Sequence, residues 1–248
     1  MAQRVWVDGI EGAGLPADDP GLTEGLGVFE TMRTYRGVVW RLDTHLARLR
    51  ASAEFCGIPW HDALAGELAA AAYAECRLHA ILTEGGHRVV RVGPLDLSRV
   101  GQPVRLVTRP WSPPAWLPGR VKHVSRAAWV LAARQAGVDE VLWEVDGAWT
   151  EASRSNLFVV RGGVLLTPPD DGRILQGVTR DSLLEAARAA GIPCREEPVP
   201  VGPCDEMYLC GTLKELAPVA ELDGRPGPGA GPVGAALLGA FRLISASR

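Results

Sequence analysis

The chain has 248 residues, 47% hydrophobic and 22% charged, which suits one large or two small globular domains and excludes a disordered chain. A formal net charge of −3 offers no basic field for nucleic acid, MAQRVWVDG lacks the regions of a signal peptide, and no apolar run is long enough for a membrane helix. Five cysteines (Cys56, Cys76, Cys194, Cys204, Cys210), odd in number and without a CxxC pair, indicate neither a disulfide framework nor a metal site, so a reduced, cytoplasmic protein is expected.

RVWVDG alternates apolar and polar residues and ends at Asp-Gly, a strand entering a turn. GVFETMRTYRGVVWRL predicts a hairpin turning at Arg36-Gly37. In DTHLARLRASAEFCGIP, Asp43 can cap a helix, Leu46, Leu49 and Ala53 form its apolar stripe, and Gly57 with Pro59 stops it. Arg48 shares a face with His45 and Ser52, away from that stripe. The alanine-rich stretch 61–80 predicts a second helix, and HRVVRVG and VRLVTRP predict strands. RPWSPPAWLPGR carries Pro110, Pro113, Pro114 and Pro118, too many for strand or helix, and reads as a stiff connector between domains.

Beyond it VKHVS is extended and RAAWVLAARQAG is helical up to Gly137. DEVLWEVDGAWTEASRSNLFVVRGGVLLTPP predicts a β-meander with turns at Asp146-Gly147 and Gly162-Gly163. QGVTRDSLLEAARAAGI is a helix ended at Gly191. In CDEMYLCGTLKELAPV a strand runs into a turn, where Thr212 and Glu215 have capping-box spacing and place an exposed Lys214 in the first turn of a short helix. A loop over 223–232 and a terminal helix close the chain, and there is no internal repeat. The fold class is α/β of the α+β type, in a small N-terminal domain over 1–109, a connector over 110–119 and a C-terminal domain over 120–248.

Of the 26 lysines and arginines only Lys122 and Lys214 are lysines. A lysine amine can lose its proton and condense with an aldehyde, which arginine cannot, although coding bias toward arginine also explains the scarcity. On position alone Lys122 reads as a surface lysine of an edge strand. Gly177, Val178 and Thr179 open a helix whose N–H groups and dipole favour an anion, and Cys210-Gly211-Thr212 offers a second such turn. Ordinary capping accounts for either. Arg48 is a candidate third phosphate contact or a solvated arginine. Glu151 is a plain loop acid or the partner of a protonated ring nitrogen.

Taken in order, these stretches resemble the fold-type IV pyridoxal-phosphate enzymes, a family of branched-chain and D-amino-acid aminotransferases, (R)-amine transaminases and aminodeoxychorismate lyases. The likeness runs from EGLGVFETMRTYRGVVWRLDTHLARLRASA through VKHVS, GVDEVLWEVDGAWTEASRSNLFVV and GVLLTPPDDGRILQGVTRDSLLEAA to DEMYLCGTLKELAPV. The resemblance implies an N-terminal two-layer sheet/helix domain, a C-terminal pseudo-barrel domain that binds pyridoxal 5′-phosphate, and a homodimer. Lys122 looks like the lysine that forms the internal aldimine, a Schiff base, and then shuttles a proton. Glu151 looks like the partner of the pyridine nitrogen, and Arg48, Gly177, Val178, Thr179, Gly211 and Thr212 look like the phosphate cup.

Branched-chain members usually carry FEGIR and a Tyr-x-Arg-Pro strand, where FETMR and HRVVRVG stand here. D-amino-acid enzymes carry an arginine pair and a histidine, and RVGPLDLSRVGQP has no histidine. KHVSR keeps Lys122, His123 and Arg126 of the lyase pattern but has Ser125 for its asparagine; Thr31 matches a lyase threonine. The resemblance therefore implies transamination between an amino acid or primary amine and an α-keto acid. The alternative is a lyase giving 4-aminobenzoate and pyruvate, and a remote third reading is a non-catalytic cofactor-binding relative. Phe29, Thr31, Arg88, Arg91 and Arg126 are candidate substrate residues, with Arg33, Arg99 and Trp129 as further ones. On a regular strand Arg88 and Arg91 point to opposite faces, so at most one lines a pocket.

Overall fold

In the computed structural model, which describes residues 2–246, the chain belongs alternately to two units. The first runs to Leu97 and takes in Val121–Arg126; the second holds Ser98–Arg120 and the chain from Ala127 onward.

The first unit contains β1 (Arg4–Val7), β2 (Ile10–Glu11), α1 (Pro20–Thr23), β3 (Gly27–Tyr35), β4 (Val38–Val39), α2 (Leu42–Phe55), α3 (Leu64–Ala71), β5 (Cys76–Thr83) and β6 (Arg88–Pro94). Its strands form one antiparallel sheet in the order β2-β1-β6-β5-β3-β4. Arg36 and Gly37, at φ 52° and 84°, turn β3 into β4 as the dipeptide predicts. The period of two decides the rest. Val28, Glu30, Met32 and Thr34 of β3 are fully buried, as are Leu78, Ala80 and Leu82 of β5. The helices bring His45, Leu49, Ser52, Ala53, Leu64 and Leu68 to the core, giving a two-layer sheet/helix arrangement.

The second unit contains β7 (Val104–Pro110), α4 (Ala127–Ala136), β8 (Glu140–Val145), β9 (Ala148–Ala152), β10 (Asn156–Arg161), β11 (Val164–Thr167), α5 (Val178–Ala189), β12 (Cys194–Glu196), β13 (Val199–Pro200), β14 (Glu206–Gly211), β15 (Glu215–Leu222), β16 (Arg225–Pro226) and α6 (Pro232–Ala246). The run β10-β14-β15-β7-β8-β9 closes on itself, because Glu151 of β9 pairs with Asn156 of β10. Alternate residues of these strands, among them Leu106, Leu142, Trp149, Leu157, Val159, Leu209 and Val219, fill the barrel with one apolar cluster. Glu206 accepts from the N–H groups of Val233 and Gly234 and from the Tyr208 hydroxyl, which fastens the start of α6. Among the described residues no helix is long and apolar enough to cross a membrane.

Four expectations change. The predicted helix over 61–80 stops at Ala72, and Cys76–Thr83 is instead a central strand whose alternation of Cys76, Leu78, Ala80 and Leu82 inward was masked by the alanine run before it. No helix follows Thr212: Gly211 pairs with Glu215 and Cys210 with Leu216, so the capping-box spacing marks a hairpin turn. Asp43 lies inside the first turn of α2, whose N-cap is Arg41 in the left-handed region, and the buried face is His45-Leu49-Ser52-Ala53. The boundaries at 109/110 and 119/120 also move. β7 pairs with β8 and β15, Trp111 packs on Trp129 and Trp143, and Gly119 donates to Gly172, so the proline stretch belongs to the second unit. Val121–Arg126 joins the first unit by pairing with β3.

Candidate active site

A carboxylate at a core-facing position of a strand must be paired or neutralised. Glu30 has 0% exposure and meets three side-chain donors from α2: Arg48 Nε at 2.6 Å, Arg48 Nη2 at 2.8 Å and His45 Nδ1 at 2.8 Å. Burial alone would raise its pKa, but the charge of Arg48 and the hydrogen bonds from Arg48 and His45 overcome it and hold the carboxyl well below the usual range. Burial pushes the His45 imidazole down from its ordinary value, against the opposing pull of the Glu30 carboxylate.

One turn along the same helix, Ser52 Oγ accepts from the Lys122 N–H at 3.2 Å. The Lys122 carbonyl accepts from the Phe29 N–H at 2.9 Å, and His123 bridges to Val28. Lys122 is thus gripped on both sides of its backbone, and its Nζ lies 4.9 Å from the Phe29 ring centroid. The Arg126 guanidinium sits 5.5 Å from that ring, and His79 stacks parallel to it with centroids 6.0 Å apart. His79 Nε2 and the Thr31 hydroxyl share a hydrogen bond of 3.2 Å. Burial, Arg91, Arg77 and Lys122 together push His79 down to about 4. Phe29, Thr31, His79 and Arg91 therefore share one face of the sheet, with Thr31, His79 and Arg91 side by side on three strands.

Arg88 falls on the other face, forked on Glu67 with Nη2–Oε1 at 2.7 Å and 3.6 Å from Asp8. Arg33 is buried beside Tyr35, Arg99 is exposed, and Trp129 packs edge-on against Trp111. Lys214 is not the exposed residue expected. Its ammonium pairs with Glu140, which is 1% exposed and also accepts from Ser155 Oγ at 2.7 Å and the Arg154 N–H at 2.8 Å. Burial opposes ionisation of Glu140, and Lys214 and Ser155 reverse it, so the carboxyl titrates below its ordinary value.

In the second unit the closing pair of the barrel gathers the remaining candidates. Glu151 Oε2 accepts from Asn156 Nδ2 at 3.2 Å and from the Leu175 N–H at 3.0 Å, while Asn156 Nδ2 also donates to the Leu175 carbonyl at 2.8 Å. Asn156 stands opposite Cys210, which brings the Gly211–Thr212 turn to the same end of the ladder. Gly177 is required where it is: a Cβ there would lie 1.9 Å from Asn156 Oδ1. From Gly177 the chain enters α5, and no side chain caps that helix. Val178 and Thr179 open its first turn, which Arg180 anchors from its buried side through Thr167 Oγ1, the Pro168 carbonyl and Glu196.

Glu30, His45, Ser52, His79, Asn156 and Glu140 are absent from the sequence candidates. One signal was available for Glu30: it is the single charged residue in the inward set Val28, Glu30, Met32, Thr34. The others acquire partners only through tertiary pairing.

Residues 27–222 match the family described as amino-transferase class IV. A putative branched-chain-amino-acid aminotransferase of Methanocaldococcus jannaschii is 34% identical over 240 residues, covering 84% of this chain and 82% of that protein. The PLP-bound form of a hypothetical aminotransferase from Mycobacterium tuberculosis matches with a TM-score of 0.85 at 29% identity over 100% of both chains. The branched-chain amino acid aminotransferase of Escherichia coli matches with a TM-score of 0.86 at 25% identity over 98% of this chain and 95% of that one.

Proposed function

Because this chain belongs to the class IV aminotransferase family, we propose that it moves an amino group between an amino acid or primary amine and an α-keto acid, using pyridoxal 5′-phosphate carried by Lys122. The observation that carries this reading is the different use of the two primary amines. Lys214 is engaged by buried Glu140, whereas Lys122 is fixed by its backbone in a stretch that the family match spans.

The residues present fit the cofactor. An uncapped helix beginning at a glycine offers N–H donors to a phosphate, and Glu151 is a carboxylate already oriented by two donors. When bound, pyridoxal phosphate supplies an aldehyde that condenses with an amine and a ring that accepts electron density from the donor's Cα. With the cofactor bound, Lys122 Nζ would take the donor's Cα proton and return it. Glu151 would accept a hydrogen bond from the ring nitrogen and so favour its protonated form. In the second unit Val178, Thr179, Gly211 and Thr212 would hold the phosphate, and Gly177 lets the chain turn there; in the first unit Arg48 is the candidate phosphate contact. Phe29, Thr31, Arg91 and Arg126 contact the substrate. Arg88 leaves this set because its guanidinium is forked on Glu67 on the opposite face. A homodimer is part of the proposal and is checked by sedimentation.

Half-reaction spectra with a panel of D- and L-amino acids and (R)-amines test the reaction type. Conversion of the visible absorbance by at least one amino donor, and its reversal by a keto acid, is expected. Release of 4-aminobenzoate and pyruvate from aminodeoxychorismate, with no response to any donor, would replace this reading by the lyase.

A further inference from the structure

Exchanging a buried ion pair for apolar side chains of similar volume is often neutral or stabilising, so stability alone does not explain Glu30. Four donors converge on it: Arg48 Nε and Nη2, His45 Nδ1 and the Thr31 N–H at 3.2 Å. Two of them are the prongs of one guanidinium. Such a fork fixes the plane of the group as well as its position, which a single contact does not. His45 is itself 1% exposed and donates to Oε2, so the carboxylate cannot rotate without losing a donor. Ser52, four residues beyond Arg48 on the same helix, receives the Lys122 N–H. One helix face thus carries both the arginine that Glu30 orients and the hydroxyl that seats Lys122.

We infer that Glu30 is a positioning residue: it locks the Arg48 guanidinium in the orientation that receives an anionic group, before any ligand arrives. This rests on the reading of Arg48 as a contact to the cofactor phosphate. The benefit of such a lock is that binding need not order a long, rotamer-rich side chain.

The test compares pyridoxal 5′-phosphate with pyridoxal as ligands of the full-length protein freed of cofactor. The ratio of the two dissociation constants measures what the phosphate contributes. Glu30→Gln, which keeps the shape and loses the charge, is expected to lower that ratio by about tenfold or more, the scale of a lost charge-assisted hydrogen bond. Glu30→Asp, which keeps the charge and loses a methylene, retains more of the ratio than Gln does. A merely structural role gives the reverse order, Gln being the better fit, and that order would overturn the inference. His45→Leu removes one of the four donors and should lower the ratio by roughly two- to fivefold, which keeps the question answerable should Glu30→Gln fail to fold. Arg48→Gln separates the two levels of the claim. If it leaves the ratio unchanged, Arg48 is no phosphate contact and the inference falls with that reading. If it collapses the ratio while Glu30→Gln and His45→Leu do not move it, the reading of Arg48 stands and Glu30 has no positioning role.

Discussion

Glu30 in the first unit and Glu140 in the second are both buried carboxylates held ionised, yet they are satisfied in different ways. Glu140 takes a lysine from the β14–β15 turn, a hydroxyl and a main-chain N–H from the β9–β10 corner, and so ties two corners of its barrel together. Glu30 takes its side-chain donors from one face of one helix, the face that also seats Lys122. A lysine meets a carboxylate as a compact point charge, whereas an arginine meets it as a fork with a defined plane. The difference explains the two lysines of the chain: Lys214 neutralises a structural acid, and Lys122 is presented by a scaffold built around a different cation.

The largest effect that would break this contrast concerns the two amines. On the proposed role of Lys122 as base and point of attachment, Lys122→Ala should lower the half-reaction rate by at least about a thousandfold, while thermal melting changes little. Lys214→Met should do the opposite. It strands a buried carboxylate and costs about 3 kcal/mol of stability by denaturant titration, while the cofactor-loaded protein keeps its half-reaction.

Acid titration sharpens the comparison next. Both glutamates have folded pKa values below the ordinary 4.5, so the unfolded chain binds protons first as pH falls. The stability they contribute is complete above 4.5 and is lost toward their folded values. His79 works higher on the scale. Its folded value of about 4 lies below the ordinary 6.5, so the unfolded chain takes up that proton first and stability declines from pH 6.5 toward 4. A two-stage loss is expected in urea titrations across pH, and His79→Gln should shrink the upper stage only.

Smaller effects test the local geometry. Gly177→Ala forces a Cβ against Asn156 Oδ1 and should cost about 2 kcal/mol, with weaker cofactor binding because Asn156 also donates to Glu151. Ser52→Ala removes the acceptor of the Lys122 N–H and should cost about 1 kcal/mol.

Local chemistry was the legible part of this fold. Arg36-Gly37, Asp146-Gly147 and Gly162-Gly163 turn where the sequence predicts, because those dipeptides suit positive φ and the strands beside them alternate. The helix over Val178–Ala189 follows from its 3.6-residue periodicity and its terminal glycine. What was hidden is set by pairing across the chain. Cys76–Thr83 sits behind an alanine run that favours helix, and only its neighbours β3 and β6 make it a strand. Thr212 and Glu215 have helix-start spacing, but the hairpin that pairs Gly211 with Glu215 uses the same positions. His45 and Ser52 are polar residues on a buried face, a choice that becomes intelligible only once Glu30 and the Lys122 backbone are seen to be their partners. The partners that hold Lys122 and Glu151 were not legible, because Ser52, Phe29, Asn156 and Leu175 meet them only through tertiary pairing.

Borohydride reduction of the protein loaded with pyridoxal phosphate, followed by peptide mapping, addresses the role of Lys122 directly. A stable label on the single peptide containing Lys122, with Lys214 unmodified, is the expected result. A label on Lys214, or none on Lys122, would contradict it.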